Sequence, residues 1–542
     1  MSSNFWKETL RRKSVDDIKA QSDEDEGPRL HRVLDARDVF NHGVAAIIGT
    51  GIFVLTGVAA ANMAGPGILL SFVLAGLACA CVSFAYAELS SMIPVSGSAY
   101  TYAYATLGEL FAWIIGWDLL LEYAVGASAV ASGWSAYMQT ILKGLGLDLP
   151  VYLTVAPPNL PMTSVCVAVA LVVAGIFMLG RTISGGGTED SKKSVDAPRQ
   201  SVLSRSPLGL LVSLGLLGGG LVFGYDIARH LTSIDLCAVL IVAFINFWLV
   251  KGVNHTAKMT SVFVVIKLAI VVLFIVVGAF HIDTANYHPF LPFGWSGVLT
   301  GAGSVFFAYI GFDAVTTLSE ECKDPQKDVP KGVLGSLAVC TVLYVLVAAI
   351  MTGAMVYSSL GGAGEGAPMA KVFDHIGMGW AIPLVSVGVI AGISSVLIVL
   401  LYGQSRIMMR MSKDGLVSPV FGKISERFRT PVWSIMIWGL IVALSAGLVP
   451  IGELAELTSI GTLFAFIIVS LGVIVLRVKE PDRRRGFSCP GYPYVPIAGA
   501  IMSFILMLSL PGITWLRFGI WMLLGLLVYV VYSRRHSRLQ NK

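Results

Sequence analysis

The chain has 542 residues, 55% hydrophobic and only 13% charged, with a formal net charge of +5 and a mean hydropathy of +0.77. A soluble domain carries about 25% charged residues, so this composition excludes an ordinary soluble enzyme and points to an all-α, polytopic membrane protein. The 58 glycines agree, since small residues let membrane helices approach closely.

Residues 1–38 are polar and charged and carry no signal-peptide pattern, so the first span is expected to act as the insertion signal. A crossing needs roughly 17–25 mostly apolar residues. Such stretches fall at about 40–63, 66–93, 102–142 (long, tilted or broken), 162–180, 207–225, 235–250 and 258–280. They continue at 296–318, 333–357, 379–403, 432–449, 451–476, 493–511 and 514–532, giving about 14 transmembrane helices. The Gly-rich stretch 207–225 could instead be re-entrant. The distribution of Lys and Arg supports an even count with both termini cytoplasmic. On that topology 33 of the 38 fall on the cytoplasmic side, while Lys143, Arg229, Lys371 and Arg517 fall on the other and Lys267 lies inside a span. Residues 181–206 are Gly/Ser-rich with mixed charge and are expected to form a flexible cytoplasmic linker.

Two spans are poor continuous helix. The first contains AAIIGTGIFVLTG (45–57), with Gly49, Thr50 and Gly51 near mid-membrane; the other contains GAGSVFFAYIGFD (301–313), with Gly311 after a run of aromatics. Glycine weakens a helix by about 1 kcal/mol relative to alanine. A break exposes N–H and C=O groups that hydrocarbon cannot satisfy, so they must line a cavity and bind something. Half-helix amides suit an anion and exposed carbonyls suit a cation. A zwitterion with adjacent carboxylate and ammonium fits both. If 162–225 is an insertion, the breaks fall in the first and sixth core helices, as a five-plus-five inverted repeat requires.

Several motifs carry a resemblance. These are GVAAIIGTGIFVLTG (43–57), AGPGILLSFVLAGLACA (64–80), the long run 91–131 beginning SMIPVSGSAY, VVIKLAIVVLFIVVG (264–278), VFFAYIGFDAVTTLSEECKDPQKDVPKG (305–332), YGQSRIMMRMSKDGL (402–416) and PIGELAELTSIGTLFAF (450–466). Through them almost the whole chain resembles the amino acid–polyamine–organocation superfamily, and within it the cationic amino acid transporter family, particularly its bacterial-type members. The resemblance implies the five-plus-five inverted-repeat core shared with the sodium-coupled leucine transporter, alternating access and secondary transport of amino acids. By position it implies a substrate carboxylate on amides around Thr50 and Gly51, with Gly49 beside them. It puts the ammonium near carbonyls of Ile47, Phe307 and Ile310, with Ala308 in the same stretch. Lys267 matches a lysine of the fifth core helix that stands where sodium-coupled relatives hold an ion. Glu122, in LLLEYAVG, matches an acidic residue of the third core helix that faces the site.

The division expected is a tail at 1–38, core helices one to three at 39–160, an inserted hairpin at 161–225, core helices four to ten at 226–476, two last helices at 477–532 and a tail at 533–542.

Charges inside spans need a purpose. Lys267 lies about 14 Å from the cytoplasmic end of its span at 1.5 Å per residue, too deep to snorkel easily. It either gains and loses a proton, coupling transport to a proton gradient, or stands as a fixed cation in place of a structural sodium ion. Glu122, four residues after Asp118 on one helix face, is a candidate for substrate contact or proton exchange, or else hydrogen-bonds a neighbouring helix. Glu88 and Asp313 lie nearer the cytoplasmic ends, where gating or capping is expected. Glu320, Glu321, Lys323, Asp324, Lys327, Asp328 and Lys331 read as a solvated loop or an inner-gate ion pair. Met408, Met409 and Met411 read as packing. Seven cysteines without metal spacing read as small buried hydrophobes, and the eight histidines show no metal motif, so neither a cofactor nor a metal is expected. No Walker motif supports ATP-driven transport. The basic tails suit anionic membrane lipid rather than nucleic acid.

These features predict a transporter in the cell membrane, driven by protons or by exchange, and no enzyme. Bulky Leu400 and Leu401 before Tyr402 tilt the substrate toward small neutral amino acids; cationic ones, arginine or lysine, are the alternative. A transport-inactive amino acid sensor is the reading from another class.

Overall fold

The computed structural model describes residues 11–15, 34–93, 98–157, 232–252, 256–313, 315–316, 322–361 and 367–541, with a few single positions between 171 and 219. The spans expected at 162–180 and 207–225, the linker 181–206, Cys166, Glu320 and Glu321 lie outside them. Among the described residues fourteen helices carry the fold: α1 (Ala36–Ile47), α2 (Ile68–Met92), α3 (Ser98–Thr106), α4 (Glu109–Gly144), α5 (Leu236–Lys251), α6 (Thr256–Ala279) and α7 (Gly294–Val305). They continue as α8 (Pro325–Ala354), α9 (Pro368–His375), α10 (Ala381–Lys413), α11 (Val432–Leu448), α12 (Ile451–Lys479), α13 (Tyr494–Leu508) and α14 (Gly512–Val528).

The polytopic, all-helical membrane fold agrees with the sequence. Seven of the described helical segments are long and apolar enough to cross a bilayer, and three shorter ones are also apolar. The long crossing helices are apolar on nearly every side, because those inside the bundle meet other helices and those outside meet lipid. α4 is the most deeply buried crossing and packs against α10, α11 and α12. α8 packs against both α1 and α2. α1 starts at a capping box in which the Asp35 carboxylate accepts from the Arg37 and Asp38 amides and the Asp38 carboxylate accepts from the Asp35 amide. Backbone bonds from Asp38 and Arg37 hold the Asp35 carboxyl below its ordinary range.

Three helices depart from continuous α geometry. After Ile47 the backbone turns extended at Ile48, and the chain resumes at 51–64 as alternating π and α turns. α7 tightens to 3-10 geometry over Phe306–Tyr309, then opens at Ile310 and turns at Gly311, whose φ is +111°. The span expected at 102–142 is divided at Leu107–Gly108, with Gly108 at φ +112°. The described cysteines are all free, and Met408 and Met411 are fully buried packing residues, as expected. Lys327 pairs with Asp324 in solvent at 3.0 Å, and the Asp324 amide donates to the Asp328 carboxylate, so these charges bond one another locally at the start of α8.

Candidate functional site

The two breaks face each other. A Cβ added at Gly51 would collide with the backbone of Ala308, and one at Gly311 would come within 2.9 Å of the Ala46 carbonyl oxygen. Each break therefore supplies one glycine that lets the other strand of backbone come close. Gly133 of α4 does the same for Thr50, whose hydroxyl donates to the Val130 carbonyl at 3.4 Å. Tyr137, one turn further along α4, donates to the Phe53 carbonyl at 2.8 Å.

The end of α1 leaves carbonyls without helical partners. Lys267 of α6 reaches them, and its Nζ donates to the Ala45 oxygen at 2.5 Å and the Ile48 oxygen at 2.9 Å. The ammonium thus caps a helix C-terminus, where the dipole is negative. Gly392 of α10 leaves room for the lysine stem, since a Cβ there would come within 2.9 Å of Lys267 Cβ. Tyr344 of α8 bridges the breaks, with its hydroxyl 2.7 Å from both the Ile47 and the Ala308 carbonyl oxygens. Its single proton is shared between two acceptors.

Of the residues expected at the site, Ile47, Gly49, Thr50, Gly51, Phe307, Ala308 and Ile310 come together here, and Lys267 joins them. Two expected ammonium contacts already have protein donors: the Ile47 carbonyl accepts from Tyr344, and the Phe307 carbonyl accepts from the Ile310 amide at 3.2 Å. Each keeps one lone pair. Glu122 is buried elsewhere on α4 and hydrogen-bonds Thr462 of α12. Gly49 faces Val396 of α10, which is 3.2 Å from where a Cβ would stand. Leu400 lies 3.8 Å from the corresponding point on Gly126, beside Thr458. Sequence reasoning missed Tyr344. The available signal was a tyrosine in the apolar run CTVLYVLVAAI, since a buried phenol normally finds a partner.

Near the face that carries both termini, Glu88 is fully buried. Arg477 grips it bidentately at 2.8 and 2.6 Å, Arg485 approaches at 3.4 Å, and the Cys489 amide donates to it at 2.7 Å.

Two facing broken helices are the architecture expected of a solute transporter. A family model described as amino acid permease matches residues 37–189 and 209–517, and the chain belongs to that family, within the amino acid–polyamine–organocation superfamily. It is 41% identical to a branched-chain amino acid permease of Bacillus subtilis, over 98% of this chain and 99% of that one. It is 40% identical to a methylthioribose transporter of Bacillus subtilis along the full length of both. A chloroplastic cationic amino acid transporter of Arabidopsis thaliana is 30% identical over 99% of this chain and 94% of its own. The protein is a membrane transporter and not an enzyme.

Proposed function

We propose that the chain is a secondary active transporter that carries neutral amino acids, small or branched-chain, by alternating access. The observation that carries this reading is the pair of facing breaks. The amides of Gly49, Thr50 and Gly51 open the 51–64 helical segment, where the first N–H groups lack helical partners and favour a carboxylate. Opposite them, the free lone pairs on the Ile47, Phe307 and Ile310 carbonyls suit the ammonium. Val396 against Gly49 and Leu400 near Gly126 favour an aliphatic side chain over a long cationic one. The similarity to a branched-chain permease supports the same choice. Protons are the coupling ion, Lys267 is the group that binds and releases them at the break, and Glu122 supplies polarity behind the site. The termini are cytoplasmic and the membrane is the cell membrane. The core runs over 39–160 and 226–476, with 161–225 as an inserted hairpin.

Uptake into proteoliposomes tests this reading, using labelled leucine, alanine, arginine and methylthioribose, each with and without an inward proton gradient. Leucine or alanine should accumulate severalfold more with the gradient. Arginine should compete only after Val396→Gly widens the pocket. The methylthioribose arm is required by the relative of that name; accumulation of that solute alone, with no amino acid taken up or competing, overturns the amino acid assignment. Binding of amino acid without any translocation would make the protein a sensor.

A further inference from the structure

Asp118 has no place in the site described above, yet it stands in the centre of the bundle. Its side chain is fully buried, and neither carboxylate oxygen has a hydrogen-bond partner. It lies against Gly461 of α12, where a Cβ would come within 2.7 Å of Oδ1. Among the described residues no lysine or arginine pairs with it. One turn along α4, Glu122 is equally buried and bonds the Thr462 hydroxyl, the neighbour of Gly461. The Thr462 hydroxyl also lies 3.1 Å from the Thr458 carbonyl, so its one proton is divided between that carbonyl and the Glu122 carboxyl. Asp313, Tyr86 and Tyr123 lie within electrostatic reach of Glu122 and bring no positive charge. From α10 the polar group beside this turn of α4 is Gln404, whose amide nitrogen is used on the Leu120 carbonyl at 3.2 Å.

An ionised carboxylate here has neither counter-ion nor donor, a state that costs far more than holding a proton. The placement also follows a path. Asp118 is about 14 Å along α4 from its start at Glu109, and Gly133, which touches Thr50, is about 22 Å beyond it at 1.5 Å per residue. The pair therefore lies between the breaks and the face that carries both termini. We propose that Asp118, next to Glu122 in the α4–α12 seam, is a second proton-binding site, distinct from Lys267, that keeps its proton while the seam is dry and releases it when water enters from that face. No bond other than O–H is broken, and the proton passes to water.

This rests on the transport reading, and the experiment separates the two. Purified protein carrying ¹³C-carboxyl aspartate is examined by infrared spectroscopy at neutral pH, beside D118N. A protonated-carboxyl band that shifts with the label and is lost in D118N is the expected result. Proteoliposomes are run in parallel: D118N should keep solute counterflow but lose the severalfold stimulation by an inward proton gradient. A labelled wild-type protein without that band overturns the proposal even if D118N does not fold. So does a D118N protein that keeps the full band or the full stimulation. Absence of counterflow in the wild type instead overturns the transport reading, and the infrared result still decides the protonation of Asp118.

Discussion

Lys267 was legible because a lysine in VVIKLA has no bland place in a bilayer. What it touches was not legible, since the Ala45 and Ile48 carbonyls are brought to it by a turn in another helix 219 or more residues away. The geometry lets its two proposed roles be told apart. Arginine keeps the positive charge and the donors but does not deprotonate in proteins. If proton exchange is the role, Lys267→Arg leaves solute counterflow measurable while gradient-driven accumulation falls to the no-gradient level. Retention of full proton stimulation in Lys267→Arg means a fixed cation capping α1. Lys267→Met, which leaves both carbonyls unpaired, should in addition cost about 1–3 kcal/mol, read as a lower midpoint in a thermal-shift measurement. Tyr344 shows the limit of sequence reading from the other side. An isolated tyrosine in an apolar span announces that some partner exists, but its two acceptors come from separate breaks and only the folded chain identifies them.

At the level of elements, glycine placement carried the information. Gly49-Thr50-Gly51 and Gly311 marked the two breaks, and both occur within a residue or two of those positions. The alternating π and α turns over 51–64 were not legible, because a segment whose only polar side chains are Thr56 and Asn62 looks much the same at either periodicity. The division at Gly108 was only half legible: the length of 102–142 exceeded one crossing, but it fitted a tilt as well as a break. Gly311 is the strongest single test at this scale. It combines a positive φ with an approach to the Ala46 carbonyl that leaves no space for a Cβ. Gly311→Ala should cost about 1–3 kcal/mol from backbone strain and more if the two breaks are pushed apart. Transport should fall more steeply than stability, because the displaced backbone is the proposed ligand itself. Wild-type uptake by a well-folded Gly311→Ala protein, judged by its elution as a single species, would show that the second break does not bind solute. A plain packing glycine such as Gly439, which fits tightly against Asn246 far from the breaks, provides the comparison. Its alanine variant should lose stability without a selective loss of uptake.

The distribution of lysine and arginine along the chain assigned the N-terminal tail, the segment after α10 and the C-terminal tail to one side, and in the folded molecule those three segments meet. Lys13 donates to Asp414 at 3.0 Å and Tyr100 donates to the other Asp414 oxygen at 2.8 Å. The Arg538 amide reaches the Asp414 carbonyl at 3.2 Å, and the Ser533 hydroxyl donates to the Leu416 carbonyl at 2.7 Å. Glu109, at the start of α4, collects Tyr104, Tyr529 and Ser537, while its amide donates to the Arg11 carbonyl. Residues 11–15 and the C-terminal residues 533–539 are thereby fastened to α3, α4 and the segment after α10. Composition could not show this, because a basic tail counted for topology looks the same whether it is free or docked. The Asp414 carboxylate holds Lys13 and Tyr100, whereas Arg538 bonds the Asp414 backbone carbonyl and Ser537 bonds Glu109, so Asp414→Ala should release residues 11–15 and leave 534–541 docked. A charge-assisted hydrogen bond contributes about 1.5–3 kcal/mol, enough to raise hydrogen exchange in residues 11–15 by one to two orders of magnitude while residues 534–541 stay protected. The remainder of the bundle should be unaffected, since the breaks are held by α4, α6 and α8. If the fastening holds this face shut, counterflow should quicken in Asp414→Ala while the solute concentration giving half-maximal rate rises. A loosened N-terminal segment with unchanged counterflow kinetics would mean that it anchors the helices without gating them.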